Sequence, residues 1–300
     1  MTIRQRPLLA ATLAALSTIT AHAAGTDVLI ATGLGGEAAY ASEFAVTADA
    51  IRAAVESLPG EPRVTELRDA AATKDAFADY FEALTEPDLL YVFLVGHGSF
   101  DDTVYKFNIP GPDITAPELA DWLNEAAGGR QLVVLTGSAS GAAVDALQQD
   151  NRAVITATRS GSERHATRFG AEFAKALANE AADLDKNRRV SASEAFELTK
   201  RRVADSYTND QQLATEHPVL SGDGADRILL ARLDAVQADA ADPELARLTA
   251  IRDSINAEIE TLLATRDDTP EAVYRDTFTR LLIDLAEAEE AIELYRDTTR

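Results

Sequence analysis

Five short β-branched or aliphatic runs constrain the fold of this chain more than any other feature: Val28 to Ala31, Arg63 to Leu67, Leu89 to Val95, Leu132 to Leu135 and Ala153 to Thr158. A strand wetted on one face alternates apolar and polar residues. Runs that are apolar at successive positions are instead buried on both faces, which is the signature of a parallel sheet covered by helices. The stretches between them, such as Glu43 to Leu58, Lys74 to Leu84 and Pro117 to Ala126, carry helical patterning and supply the right-handed crossovers that parallel neighbours require. The expected fold class is α/β, with a mainly parallel sheet flanked by helices.

Composition narrows the partners. The 300 residues are 46% apolar, enough for a real core in one or two domains. Lys and Arg number 28 against 50 Asp and Glu, giving a net charge of −22, so a partner held by phosphate contacts, such as nucleic acid, is not expected. Cysteine is absent. That removes disulfides, zinc thiolates, iron–sulfur ligation and any thiol nucleophile.

The two ends read differently from the middle. Arg4 and Arg6, the apolar run Leu8 to Ile19, and Ala21-His22-Ala23 form a secretory signal pattern, with cleavage expected after Ala23. The run is shorter than the ~20 residues of a spanning helix, so the mature chain is expected in a periplasm or outside the cell, with no membrane anchor. Three segments follow: a signal peptide 1–23, an α/β domain 24–236 and a helical hairpin 237–300. In the last, Tyr274, Phe278, Leu281, Leu285, Ala288, Ile292 and Tyr295 recur at spacings of four and three, a heptad seam. Leu245, Leu248, Ile255, Ile259 and Leu262 form the facing stripe, so the pair is expected as an antiparallel hairpin. The same seam suits pairing with a second copy.

Residues able to do chemistry cluster where two runs end. The run Tyr91 to Val95 leads into Gly96-His97-Gly98-Ser99, and Gln131 to Leu135 leads into Thr136-Gly137-Ser138-Ala139-Ser140-Gly141. Loops outside the carboxyl ends of parallel strands form the crevice in which α/β proteins bind ligands, and adjacent strands would present His97 and Ser138 on one edge. Asp101 and Asp102 lie close enough in sequence to orient His97, or are solvated loop charges. Thr136, Ser138 and Ser140 also suit a strand end and a helix cap.

These residues resemble the legumain, gingipain and caspase group of cysteine peptidases. In that group an apolar strand ends in His-Gly, and about forty residues on a second ends in the nucleophilic cysteine, followed in legumains by a residue and then Ser-Gly. His97-Gly98 and Ser138-Ala139-Ser140-Gly141 fill those places, and the resemblance spans Val28 to about Gly224. It implies a caspase-like fold, oxyanion donors at the backbone N–H groups of Gly98 and Ser138, and a specificity pocket bordered by Arg159 and Ser160, with Ser140 beside it. Ser138, however, stands where the cysteine should be. A serine needs its proton removed by an oriented base during attack. The resemblance thus implies a degenerate peptidase that binds a peptide or protein, and, as the alternative, a serine-dependent hydrolase with His97 as base and Ser138 as nucleophile.

A second pattern resembles an EF-hand calcium loop. Asp183, Asp185 and Asn187 hold positions one, three and five, Arg189 offers its carbonyl at seven, Ser191 lies at nine and Glu194 at twelve. Helices are expected on both sides, over Ala166 to Leu177 and Ser193 to Tyr207. Arg188 departs from the pattern at position six, where glycine permits the turn. Calcium is the cofactor this loop would take; otherwise it is an acidic turn with Ser191 capping the next helix. His165 and His217 fall in polar loops, where a loop role is expected.

Overall fold

The computed structural model describes residues 25–85, 87–126, 129–233, 243–264, 266 and 270–299. The expected signal peptide and the expected domain boundary near 236 lie outside them. The chain runs β1 (Thr26–Thr32), α1 (Ala38–Glu56), β2 (Arg63–Leu67), α2 (Lys74–Glu82), β3 (Leu89–Val95), β4 (Gly98–Phe100), β5 (Tyr105–Phe107), β6 (Ile114–Thr115) and α3 (Ala116–Glu125). It continues through β7 (Arg130–Leu135), α4 (Val144–Leu147), β8 (Arg152–Thr156), α5 (Phe169–Leu177), β9 (Arg189–Ser191), α6 (Ala192–Asn209), β10 (Val219–Ser221) and β11 (Leu229–Arg232). Helices α7 (Pro243–Ala264) and α8 (Glu271–Thr299) close it.

All five expected strands join one sheet, in the order β2-β1-β3-β7-β8-β10. The first five are mutually parallel and β10 pairs antiparallel with β8. The consecutive apolar runs are explained by two cores, because successive side chains of a strand point to opposite faces. Tyr91, Phe93 and Val95 of β3 enter a core built with α1, α5 and α6, while Leu90, Val92 and Leu94 enter one built with α2, α3 and α4. The mainly parallel α/β class read from the sequence is therefore the observed one. β2 differs from the expectation of burial on both faces: it forms the sheet edge, with Arg63 and Glu66 exposed, because no strand flanks it on one side.

Six strands escaped the sequence reading: β4, β5, β6, β9, β10 and β11. β4, β5 and β6 form a small antiparallel sheet that rises directly from the end of β3. Each of these three has three residues or fewer, too short to show a period. Helix α5 starts at Phe169, later than expected, since its first N–H groups are capped from a distant loop: Glu216 accepts from the amides of Arg168 at 2.6 Å and Phe169 at 3.1 Å. In α8 the expected seam is turned inward, with Leu281, Ala288 and Ile292 buried against α7. Among the described residues no helix is long and apolar enough to cross a membrane.

Candidate functional site

The ends of β3 and β7 are pressed together by their glycines. A Cβ on Gly137 would lie 2.2 Å from the carbonyl oxygen of Gly96, and one on Gly98 would lie 2.5 Å from that of Ser138. Thr136 fastens the two exits, its hydroxyl donating to the Leu94 carbonyl and accepting from the Gly96 amide, both at 3.3 Å. The expected meeting of His97-Gly98 with Ser138 at one sheet edge thus occurs in the backbone. The side chains take other partners. Ser138 is 7% exposed, and its Oγ donates to the Gly98 carbonyl at 3.0 Å. The His97 ring lies edge-on to Tyr40 and Phe44 of α1, with centroids 4.7 and 5.0 Å away, and no side chain among the described residues hydrogen-bonds it.

Neither nearby carboxylate orients the imidazole. Asp101 accepts from the amides of Thr103 and Val104 and pairs with Lys106 Nζ at 2.6 Å; that lysine, foremost, lowers its pKa to about 2. Asp102 pairs with Arg164 at 2.5 Å. Both belong to the turn between β4 and β5. Ser140 is fully buried, bonded through Oγ to the hydroxyl and amide of Thr158, so it ties the turn after β7 to the exit of β8. Ala139 adopts a left-handed φ of 57° at that turn and donates its amide to the Glu163 carbonyl at 2.8 Å. A non-glycine residue there is held by its surroundings.

Beside this turn lies a cleft of about 710 Å³, lined among others by Phe100, Tyr105, Asp145, Arg159, Ser160 and Val219. Arg159 and Ser160 line this cleft, and His97, Ser138 and Ser140 do not. Its rim is fixed by Glu163, whose carboxylate accepts from the amides of Arg159 and His217 and meets His217 Nδ1 at 2.6 Å. His217, read as a loop residue, is thereby a tether between the exit of β8 and the approach to β10. Tyr105 backs the cleft with a buried hydroxyl that has no hydrogen-bond partner, and burial pushes its phenol pKa up. Tyr40, Phe44, Tyr105 and Glu163 were not singled out in the sequence. The spacing of four between Tyr40 and Phe44 was the one available signal, and it does not say which residue the pair will cover.

The loop from Asp183 to Glu194 gathers a carboxylate oxygen from each of Asp183, Asp185 and Glu194 within 4.8 Å of one another. β9 spans positions seven to nine and α6 begins at ten. Arg188 takes the left-handed φ, 61°, that glycine would supply, and its guanidinium faces Glu180 at 3.7 Å. Burial and then the neighbouring Glu194 and Asp183 charges raise the Asp185 pKa, although the Asn187 amide opposes the shift. The expected helix cap is present as well: the Ser191 hydroxyl accepts from the Glu194 amide, and Glu194 accepts from that of Ser191 at 2.9 Å. Asn187 Oδ1 turns to the Arg189 amide at 2.8 Å. The donor set fits a calcium ion, which accepts irregular oxygen ligation.

No family model matches the chain, and no curated protein matches it. Among solved structures it is similar to the Drosophila initiator caspase Dronc, with 11% identity and a TM-score of 0.40 over 67% of this chain and 80% of that one.

Proposed function

We propose that this chain is an exported, legumain- or caspase-like protein whose cleft at the carboxyl edge of the sheet binds an extended segment of a peptide or protein without cleaving it efficiently. The observation that carries this reading is that the two chemical groups take other partners rather than each other. The Ser138 hydroxyl is spent on the Gly98 carbonyl, the His97 ring is clasped by Tyr40 and Phe44, and among the described residues no carboxylate hydrogen-bonds that ring. Serine attack needs a base in hydrogen-bond contact and a third group that orients the base. The cleft needs neither: its mix of aromatic and aliphatic walls with a few charged groups suits recognition of alternate side chains of an extended chain. Export rests on the signal pattern of residues 1–23. On its donor set we assign the loop Asp183 to Glu194 to calcium, as an ordering ion at a helix junction.

Two measurements test the reading. A fluorophosphonate probe should label the protein little or not at all, in wild type as in Ser138→Ala and His97→Ala. Stoichiometric labelling that both substitutions abolish would instead assign a serine-dependent hydrolase. Peptides selected on the protein from a random library should lose at least about tenfold in affinity on Ser160→Trp, which fills the cleft, and keep it on Ser138→Ala, in line with the energetics of a buried contact. Binding indifferent to Ser160→Trp would move the ligand elsewhere.

A further inference from the structure

At the opposite, amino end of the sheet, Arg152 opens β8 with its side chain buried at the floor of a surface cavity: the residue is 1% exposed. Its Nε donates to Gln131 Oε1 at 2.7 Å, Nη1 to the Leu147 carbonyl at 2.7 Å and Nη2 to Asn124 Oδ1 at 2.8 Å. All three acceptors are neutral. Among the described residues no carboxylate pairs with this guanidinium, and burial alone draws its pKa down, to about 10, so it stays charged at neutral pH. A guanidinium has five N–H donors, and these bonds leave two without an acceptor among the described residues. Buried charges in proteins are ordinarily paired, because desolvating a lone ion is costly.

The same side chain lines a cavity of about 300 Å³ whose other polar walls are the uncharged amides of Asn124, Gln131, Gln149 and Asn151. Asn124 is exposed, with its Oδ1 taken by Arg152, so its Nδ2 is free to donate to water or to a ligand. We propose that this cavity is a binding site for a monoanionic carboxylate, which serves as the missing counterion of Arg152. One guanidinium balances one negative charge. A doubly charged phosphate would leave an excess negative charge inside a protein already at −22. The planar fork of arginine also matches two carboxylate oxygens, and the Asn124 amide adds a donor. The site lies at the other end of the strands from the peptide cleft and does not depend on that reading.

The test uses the full chain and acetate as probe, with phosphate and chloride at matched ionic strength. Acetate should raise the melting temperature saturably, by roughly 2–4 °C at ten times its Kd, and phosphate and chloride should not. Arg152→Gln should lose the response; because that variant can fail to fold, Asn124→Asp is the sharper one. It puts a carboxylate at the 2.8 Å position now held by an amide oxygen. That variant should be more stable than wild type and should lose the acetate shift. No saturable acetate response in wild type, an undiminished response in Asn124→Asp, or an equal response to phosphate would each overturn the proposal.

Discussion

Gly98 condenses the residue-scale argument. The resemblance assigns its amide to an oxyanion hole, but its missing side chain has a packing reason of its own. A Cβ there would stand 2.5 Å from the Ser138 carbonyl oxygen and 2.6 Å from the Tyr105 hydroxyl. The exit of β3 can lie against the turn after β7, with a buried tyrosine behind both, only while this position has no Cβ. Gly98→Ala should therefore destabilise the protein by about 1–3 kcal/mol, the range for overpacking a filled interior. Urea unfolding of the two proteins measures it. An unchanged midpoint would mean that Tyr105 can withdraw freely, and the glycine would then need a functional explanation.

At the scale of elements, the segments that matter are held by partners far away in sequence. The strand of the loop Asp183 to Glu194, β9, pairs antiparallel with β11, which lies some forty residues on and was not expected. β11 gives the loop a neighbouring strand, the part a second calcium loop plays in paired EF-hands. The hairpin reaches the same region: Arg252 and Ile292 line a cavity with Glu180, Asp183 and Arg188. Arg252 occupies the seam position between Leu248 and Ile255 and is 1% exposed, which explains the interruption in the apolar stripe of α7. For the loop itself, millimolar calcium should raise the melting temperature, by roughly 2–4 °C at ten times Kd, and magnesium should do less because it demands tighter octahedral geometry. Glu194→Gln keeps the helix cap, which glutamine can also form, but deletes the bidentate carboxylate. The Leu184 amide, which donates to the second carboxylate oxygen at 2.9 Å, loses that acceptor, so the metal-free midpoint should fall slightly, while most of the calcium shift should disappear. Equal shifts in both proteins, or none in either, would reduce the loop to a capped turn.

At the scale of the whole molecule, among the described residues neither hydrophobic core includes any beyond Leu233. α7 and α8 bury their apolar seam mainly against each other. A chain lacking residues 237 to 300 should consequently retain one cooperative unfolding transition, with a lower midpoint because the contacts around Arg188 are gone. Circular dichroism against temperature reads this directly. Loss of the transition would mean that the hairpin is part of the folding unit.

The sequence by itself determined what depends on local period and spacing. Consecutive apolar positions required a sheet buried on both faces, the heptad required the α8 seam, and the acidic spacing required a loop with converging carboxylates. Each is a one-dimensional pattern that a strand, helix or turn converts into geometry by a fixed repeat. Tertiary structure alone decided which side chains became partners. Tyr40 and Phe44 cover His97, Lys106 and Arg164 take the aspartates that could have oriented it, Glu216 caps α5, Glu163 holds His217, and Arg152 is left among neutral acceptors. A hydrogen bond forms or fails within a few tenths of an ångström, and most of these pairs join residues tens of positions apart through loops whose course no repeat dictates. The edge on which the chemistry-bearing residues lie was therefore legible in the chain, whereas the contacts they make there were not.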